Sequence, residues 1–335
     1  MEHLYDYLSF LAKAATVVLA LLALAAGVMA LAMRRASGGD EGHLEIRRLN
    51  DRLRDMKQRF DAAFMRRRDF RRLLKREAKA EERRKAEGEA ERARVFVLSF
   101  AGDVIASHVE DLRHEITAVL TAARPQDQVV VRIESAGGVV HGYGLAASQL
   151  KRVRERGLKL VAAIDKVAAS GGYMMASVAN HVIAAPFALV GSIGVIAQVP
   201  NVHRLLKRHD VDVEVLTAGQ YKRTLTVLGE NTDAARQKFQ QEIDDVHVLF
   251  QELVATNRPS VDLATVATGE SWYGTRALER RLVDELATSD EYLLRACETH
   301  DVYEVRWIQP KKGLERWISR LTNALASSLP GLRWS

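Results

Sequence analysis

The segment DKVAASGGYMMA, residues 165–176, sets one hydroxyl, that of Ser170, among small residues and two glycines. A serine at a strand-to-helix turn can act as a nucleophile, with neighbouring backbone N–H groups receiving the oxyanion. A plain capped turn uses the same residues, since glycine supplies backbone freedom and serine caps a helix. A second glycine turn, ESAGGVVHGYG at 134–144, offers the unhindered N–H groups of Gly137 and Gly138. If each turn closes a strand of one parallel sheet, both fall on its carboxyl edge, where α/β proteins place their sites.

A nucleophilic serine needs a base. His141, His181 and His203 are the histidine candidates, and only His141 lies beside a glycine turn. His181 opens a strand, and His203 lies on a basic amphipathic helix with Arg204, Lys207 and Arg208. The other candidate is Lys222, in AGQYKRTLT after the strand-like VDVEVLTAG. A loop lysine is ordinarily a solvated charge. At a free pKa of about 10.4 its deprotonation at pH 7 costs about 4.6 kcal/mol, so a lysine base has to be desolvated. Arg223 beside it would push the same way, and Glu134 and Asp165 have to point elsewhere.

These residues need a scaffold. VFVLSF at 95–100, QVVVRIES at 128–135 and LKLVAAID at 158–165 read as strands, separated by helices over His108–Ala123 and Tyr143–Arg156. HVIAAP and VDVEVLTAG continue the strands, and a long helix is expected from Thr232 to about Asn257. Strands alternating with helices predict right-handed βαβ units and a mainly parallel sheet. The single Cys297 excludes an intramolecular disulfide, and ten histidines without ligand spacing predict no metal and no redox cofactor.

The net charge of +6 is regional: residues 34–94 carry 21 Lys/Arg against 13 Asp/Glu, leaving the remainder at −2. Interleaved acids fit a solvated helix better than a nucleic-acid arm. Ala14–Met33 is a stretch of twenty uncharged residues, enough for a helix to cross about 30 Å of hydrocarbon. Arg34 and Arg35 follow directly, which favours an anchor over a cleaved signal. Ile46, Leu49, Leu53, Met56, Phe60 and Ala63 recur at heptad-like steps, and Phe70 and Leu74 resume the stripe. Globular structure is expected to begin near Val95. At the other end, Leu314, Trp317, Ile318, Leu321 and Leu325 share a helical face flanked by cations, which suits either a packed helix or an interfacial membrane helix.

KVAASGGYMMA, ESAGGVVHGYGLAASQL, PFALVGSIGV and TAGQYKRTLT followed by GENT together resemble the bacterial signal peptide peptidase A family of serine proteases, over nearly the whole chain. The resemblance implies an α/β ClpP/crotonase-like fold of βαβ units behind a transmembrane helix and a basic helical segment. It implies a Ser-Lys dyad of Ser170 and Lys222, an oxyanion hole from Gly137 or Gly138 and Gly171, and Ser192 orienting the lysine. The family's Ser-Pro-Gly-Gly loop has Ala136 in place of proline here, which keeps the N–H donors.

The expected organisation is 1–13 N-terminal segment, 14–33 transmembrane helix, 34–94 basic helical segment, 95–310 catalytic domain and 311–335 amphipathic tail. Expected partners are peptide or protein substrates, the bacterial inner membrane and further copies of the chain in a closed ring; no nucleic acid and no cofactor are expected. The basic excess after the span favours a cytoplasmic catalytic domain by the positive-inside rule, and the resemblance a periplasmic one. A crotonase-like acyl-CoA enzyme and a non-catalytic membrane scaffold are the rival readings.

Overall fold

A computed structural model describes residues 42–86 and 92–309, with Lys13, Thr16 and Ala20 in addition. Most of the expected span Ala14–Met33, and all of the tail 311–335, lie outside the described residues. Among the described residues no helix is long and apolar enough to cross a membrane. The chain divides into two units, Leu44–Trp307 and a second formed by Met1–His43 with Ile308–Ser335; the first carries the α/β fold.

In chain order the described elements are β1 His43–Arg48, α1 Leu49–Phe64, α2 Arg67–Ala86, β2 Arg94–Ala101, α3 Val109–Ala122, β3 Gln128–Glu134, α4 Val140–Glu155, β4 Lys159–Ile164 and β5 Val167–Ala169. There follow α5 Gly171–Ser177, β6 His181–Ala184, β7 Leu189–Gly191, α6 His203–Arg208, α7 Asp233–Asn257, α8 Leu263–Val266, β8 Ser271–Tyr273, α9 Gly274–Glu279, β9 Glu285–Leu286, α10 Ser289–Thr299 and β10 Asp301–Ile308. Seven strands form one sheet in the order β1-β10-β2-β3-β4-β6-β9, and β5-β7-β8 form a second. From β10 to β9 the neighbours of the large sheet run parallel.

Alternation along each strand decides what it covers. Phe96, Leu98 and Phe100 of β2 join Val129, Val131 and Ile133 of β3 in the core beneath α3 and α4, whereas Val95, Val97 and Val130 pack with Leu293 and Ala296 of α10. Both faces are dry, which is why these strands read as nearly unbroken apolar runs. On α4, Tyr143, Ala146, Ala147, Leu150 and Val153 are buried at helical spacing.

Three expectations are corrected. VDVEVLTAG forms no strand: residues 211–217 have no regular structure, with Leu216 91% exposed. Apolar alternation alone cannot hold a strand without a ladder partner. The heptad-like stripe is not one helix, because Ile46 belongs to β1 and the helix stops at Met65, whose backbone is extended. With neither glycine nor proline there, periodicity runs across the bend; α2 folds back so that Gln58 Nε2 donates to Glu77 at 3.1 Å.

The sheet also begins before Val95. Arg48 pairs with Asp301 at 2.6 Å, and Asn50 donates to the carbonyls of Cys297 and His300 while accepting from Val302 N–H. Arg94 holds Asp127, whose side chain is 1% exposed, through its backbone N–H and two guanidinium nitrogens. A chain begun at Val95 loses both devices and leaves the Asp127 carboxylate buried without its cation, a loss of about 3 kcal/mol or more. We expect a chain begun at Gly42 to keep the full-length core's melting temperature and one begun at Val95 to melt several degrees lower by circular dichroism.

Glu115 of α3 is 5% exposed and accepts a hydrogen bond from Trp307 N–H. Burial pushes its carboxyl up from 4.5 to about 7. The folded state therefore keeps a proton that the unfolded chain releases near pH 4.5, and stability falls as pH rises through that window. Chemical denaturation at pH 5 and pH 8 should show this slope, worth about 3 kcal/mol, and Glu115→Gln should flatten it.

Candidate active site

The two glycine turns meet at the carboxyl edge of the large sheet. β3 ends at Glu134, and Ser135 then pairs with β5: Ser135 N–H donates to Val167 O at 2.9 Å and Ala169 N–H donates to Ser135 O at 3.0 Å. The ESAGG loop is thereby tied to the strand that delivers Ser170. Ser170 itself has φ +50° and ψ −117°, a region where a serine is strained. Its N–H donates to Gly191 O at 2.8 Å, and its carbonyl accepts from Met174 N–H at 2.9 Å, opening the wholly buried helix α5.

Close backbone approach explains the glycines. Gly137 has φ +92°, and a Cβ there would lie 2.7 Å from both Ser170 Cβ and Gly171 N. A Cβ on Gly171 would run into the Tyr143 ring, and one on Gly138 into the carbonyl of Val104. As the first residue of α5, Gly171 has an N–H outside the helical ladder. Gly138 is exposed, and its N–H has no partner among the described residues. Gly137 N–H is already taken, donating to Ser135 Oγ at 3.0 Å. Of the two loop glycines, Gly138 is the one with a free donor.

Ser135 and Tyr143 are the participants that the sequence did not mark. Tyr143 Oη donates to Asp103 O at 2.7 Å, so in its 2.5 Å contact with Ser135 Oγ the serine is the donor. Burial pushes the Tyr143 phenol up, keeping its proton for Asp103. The signal was Tyr143's place on the buried face of α4, because a tyrosine hydroxyl inside a core requires a partner.

Ser192 also has a positive φ, +53°, and its N–H donates to Glu270 O at 2.6 Å; its neighbour Gly191 holds Ser170. Lys222 is different. It is exposed in a turn closed by Lys222 N–H to Gly219 O at 3.1 Å, and no hydrogen bond joins it to Ser170 or Ser192. Glu134 is held by Lys166 at 2.8 Å, and Asp165 accepts from Ser289 N–H at 2.7 Å and from its hydroxyl. Both carboxylates are engaged by partners other than Ser170 and Lys222. His141 is exposed on α4, His181 faces Glu285 at 3.2 Å, and His203 begins α6. Among the described residues no cluster of His, Cys, Asp or Glu could hold a metal ion.

Two family models cover this architecture, peptidase family S49 N-terminal over residues 2–150 and peptidase family S49 over residues 152–303. A probable protease SohB of Buchnera aphidicola subsp. Acyrthosiphon pisum is 50% identical over 70% of this chain and 70% of its own length. The chain belongs to peptidase family S49. The probable protease SohB of Haemophilus influenzae is 54% identical over 68% of this chain, and the aligned stretch spans 64% of that relative. Among solved structures, a 1510-N membrane-bound stomatin-specific protease superposes with a TM-score of 0.42 at 12% identity, covering 62% of this chain and 84% of that one. The motif resemblance is met at family level, with the ESAGG turn inside the region matched by the first S49 model and Ser170 with its glycines inside the region matched by the second.

The Tyr143–Ser135–Gly137 relay fixes the loop that faces Ser170. Tyr143→Phe removes the acceptor for Ser135 and the tie to Asp103. We expect it to lower the rate of Ser170 labelling by a fluorophosphonate at least about tenfold, with a stability loss of only about 1–2 kcal/mol. Equal labelling rates in both proteins would show that the loop holds without the relay.

Proposed function

We propose that the protein is a membrane-anchored serine endopeptidase in which Ser170 attacks the peptide carbonyl and Lys222 accepts its proton. The observation that carries this reading is Ser170 in its strained turn, with the free N–H groups of Gly171 and Gly138 on the same edge. The substrate oxyanion is received by those two donors, and Gly137 keeps the loop against the serine. Ser192 orients the lysine. Extended or unfolded segments, such as remnant signal peptides or membrane-protein fragments, suit a groove that binds them as an added strand. The anchor is Ala14–Met33, placing the enzyme as a single-pass protein of the bacterial inner membrane.

Lysine chemistry adds a requirement. Ser170 is bonded into a buried helix, whereas Lys222 is exposed, near Leu216 at 91% and Tyr221 at 56% exposure. A hydrated ammonium is no base. A neighbouring copy in a closed ring supplies the missing desolvation, the lysine of one subunit meeting the serine of the next. The exposed apolar residues beside Lys222 support this reading, since contact with a neighbour would cover them.

Ser170→Ala and Lys222→Ala should each be inactive in peptide hydrolysis. Lys222→Arg should be inactive as well, because a guanidinium stays protonated. Co-expressed as mixed assemblies, Ser170→Ala and Lys222→Ala should regain part of the activity at interfaces where an intact serine meets an intact lysine. A dead product of confirmed mixed composition would sink the shared dyad, and an active Lys222→Arg enzyme would sink the lysine base altogether.

A further inference from the structure

The bend that interrupts the apolar stripe carries an unassigned surface. At the tip of the α1–α2 hairpin the sequence runs FDAAFMRRRDFRRLLK, residues 60–75. Met56, Phe60 and Phe64 stand one helical turn apart on α1 and are 49%, 65% and 83% exposed, and Met65 at the bend is 41% exposed. Phe60 and Phe64 stack at 6.3 Å, forming one ridge. No residue of α1 is buried. On α2, Arg67, Arg68, Arg71, Arg72 and Lys75 line a single groove. None of these five, nor Arg66, makes an ion pair among the described residues, and all six are exposed. From Arg59 to Lys75 there are seven Lys/Arg against Asp61 and Asp69, a net +5.

Fold stability does not account for this arrangement. Large apolar side chains left in water lose what burial would give them, and adjacent guanidinium groups repel. An occupant has to be apolar where it meets the ridge and anionic where it meets the groove. An anionic bilayer has both layers at the right depth, acyl chains beneath a negative headgroup plane. Nucleic acid would satisfy the cations but leave the ridge wet, because Phe60 and Phe64 stack on each other rather than standing apart as platforms for bases. A second copy would set one cationic tip against another. In sequence the hairpin also follows closely on the apolar stretch Ala14–Met33.

We propose that the α1–α2 tip docks on an anionic lipid surface, with Phe60, Phe64 and Met65 entering the headgroup–acyl boundary and Arg66, Arg67, Arg68, Arg71 and Arg72 bound to lipid phosphates. The contact is independent of the peptidase chemistry. Its role is to hold the globular unit against the membrane by a second, reversible attachment, with affinity set by lipid charge and ionic strength.

The test uses the full chain in nanodiscs of phosphatidylcholine alone or with about one third phosphatidylglycerol. A nitroxide is placed at Phe64→Cys in a Cys297→Ser background, and its accessibility to oxygen and to a water-soluble nickel complex is measured. In anionic discs the label should favour oxygen over nickel, and in neutral discs the reverse. Replacing Arg67, Arg68, Arg71 and Arg72 together by Gln should reduce the membrane-inserted population at least about tenfold. Raising salt to about 0.5 M should do the same without any substitution, which separates charge loss from misfolding. A label equally open to nickel in both discs overturns the proposal. So does dipolar broadening between labels in both lipids, which would put a second copy on the ridge, and so does duplex DNA binding that leaves the label aqueous in anionic discs. Entry of the chain into neutral discs reports on the Ala14–Met33 anchor alone, so failure of the anchor and failure of the hairpin contact are read separately.

Discussion

Ser170 is held at φ +50° and ψ −117°, a conformation that costs a serine about 1–3 kcal/mol and persists only where its surroundings over-determine it. They do so from three sides. Gly191 takes its N–H, Met174 takes its carbonyl, and Gly137 closes against its Cβ. Beneath it, Tyr173 of α5 donates to Leu282 O at 3.0 Å, in a segment locked by Arg258. Arg258 is 5% exposed, pairs with Asp284 through both terminal nitrogens and also donates to Arg281 O. An ion pair of that burial adds little net stability, but losing either partner strands the other charge. Its value here is positional, because it fixes the floor on which the strained serine stands.

Much of this was legible because the relevant patterns are local. The strands β2, β3 and β4 announce themselves by apolar runs, and the glycines flanking Ser170 by their type, since each adjoins backbone or a ring. Register within the edge was also readable, given that consecutive parallel strands bring their carboxyl ends together. Harder features depend on distant partners. β1 looked helical because Ile46 fits a heptad, and only β10, some 250 residues later in sequence, supplies the ladder that makes it a strand. VDVEVLTAG failed in the opposite sense, having a strand's pattern and no neighbour within the described residues. The bend at Met65–Arg66 has no breaker residue. The Tyr143 relay was hidden because a hydroxyl's partner is a matter of packing, not of spacing.

On the proposed mechanism, electrostatics divides the site into two halves. The oxyanion side would need only backbone donors, beside a loop that glycine contacts and the Ser135 hydroxyl hold in place. The base side would need a neutral amine, and neutrality is a property of surroundings. With Glu134 salt-bridged to Lys166 and Asp165 bound to Ser289, these two carboxylates no longer stabilise an ammonium approaching Ser170. On the proposed mechanism, that leaves the edge open to a lysine supplied by a neighbouring chain.

That division has a kinetic meaning on the proposed shared dyad. A lone subunit presents a strained serine with no hydrogen bond to Lys222, which is exposed to water. Burial of the lysine between subunits removes the ammonium's hydration and brings the acceptor to the hydroxyl in one event. Proteolysis then becomes a property of the assembly, and the cost of dehydrating the lysine is met by apolar contacts such as Leu216 and Tyr221 closing against the neighbour. Strain at Ser170 can be held permanently within one chain because the surrounding hydrogen bonds sustain it, whereas a lysine neutral at all times would need permanent burial, which the proposed shared dyad defers to contact between subunits.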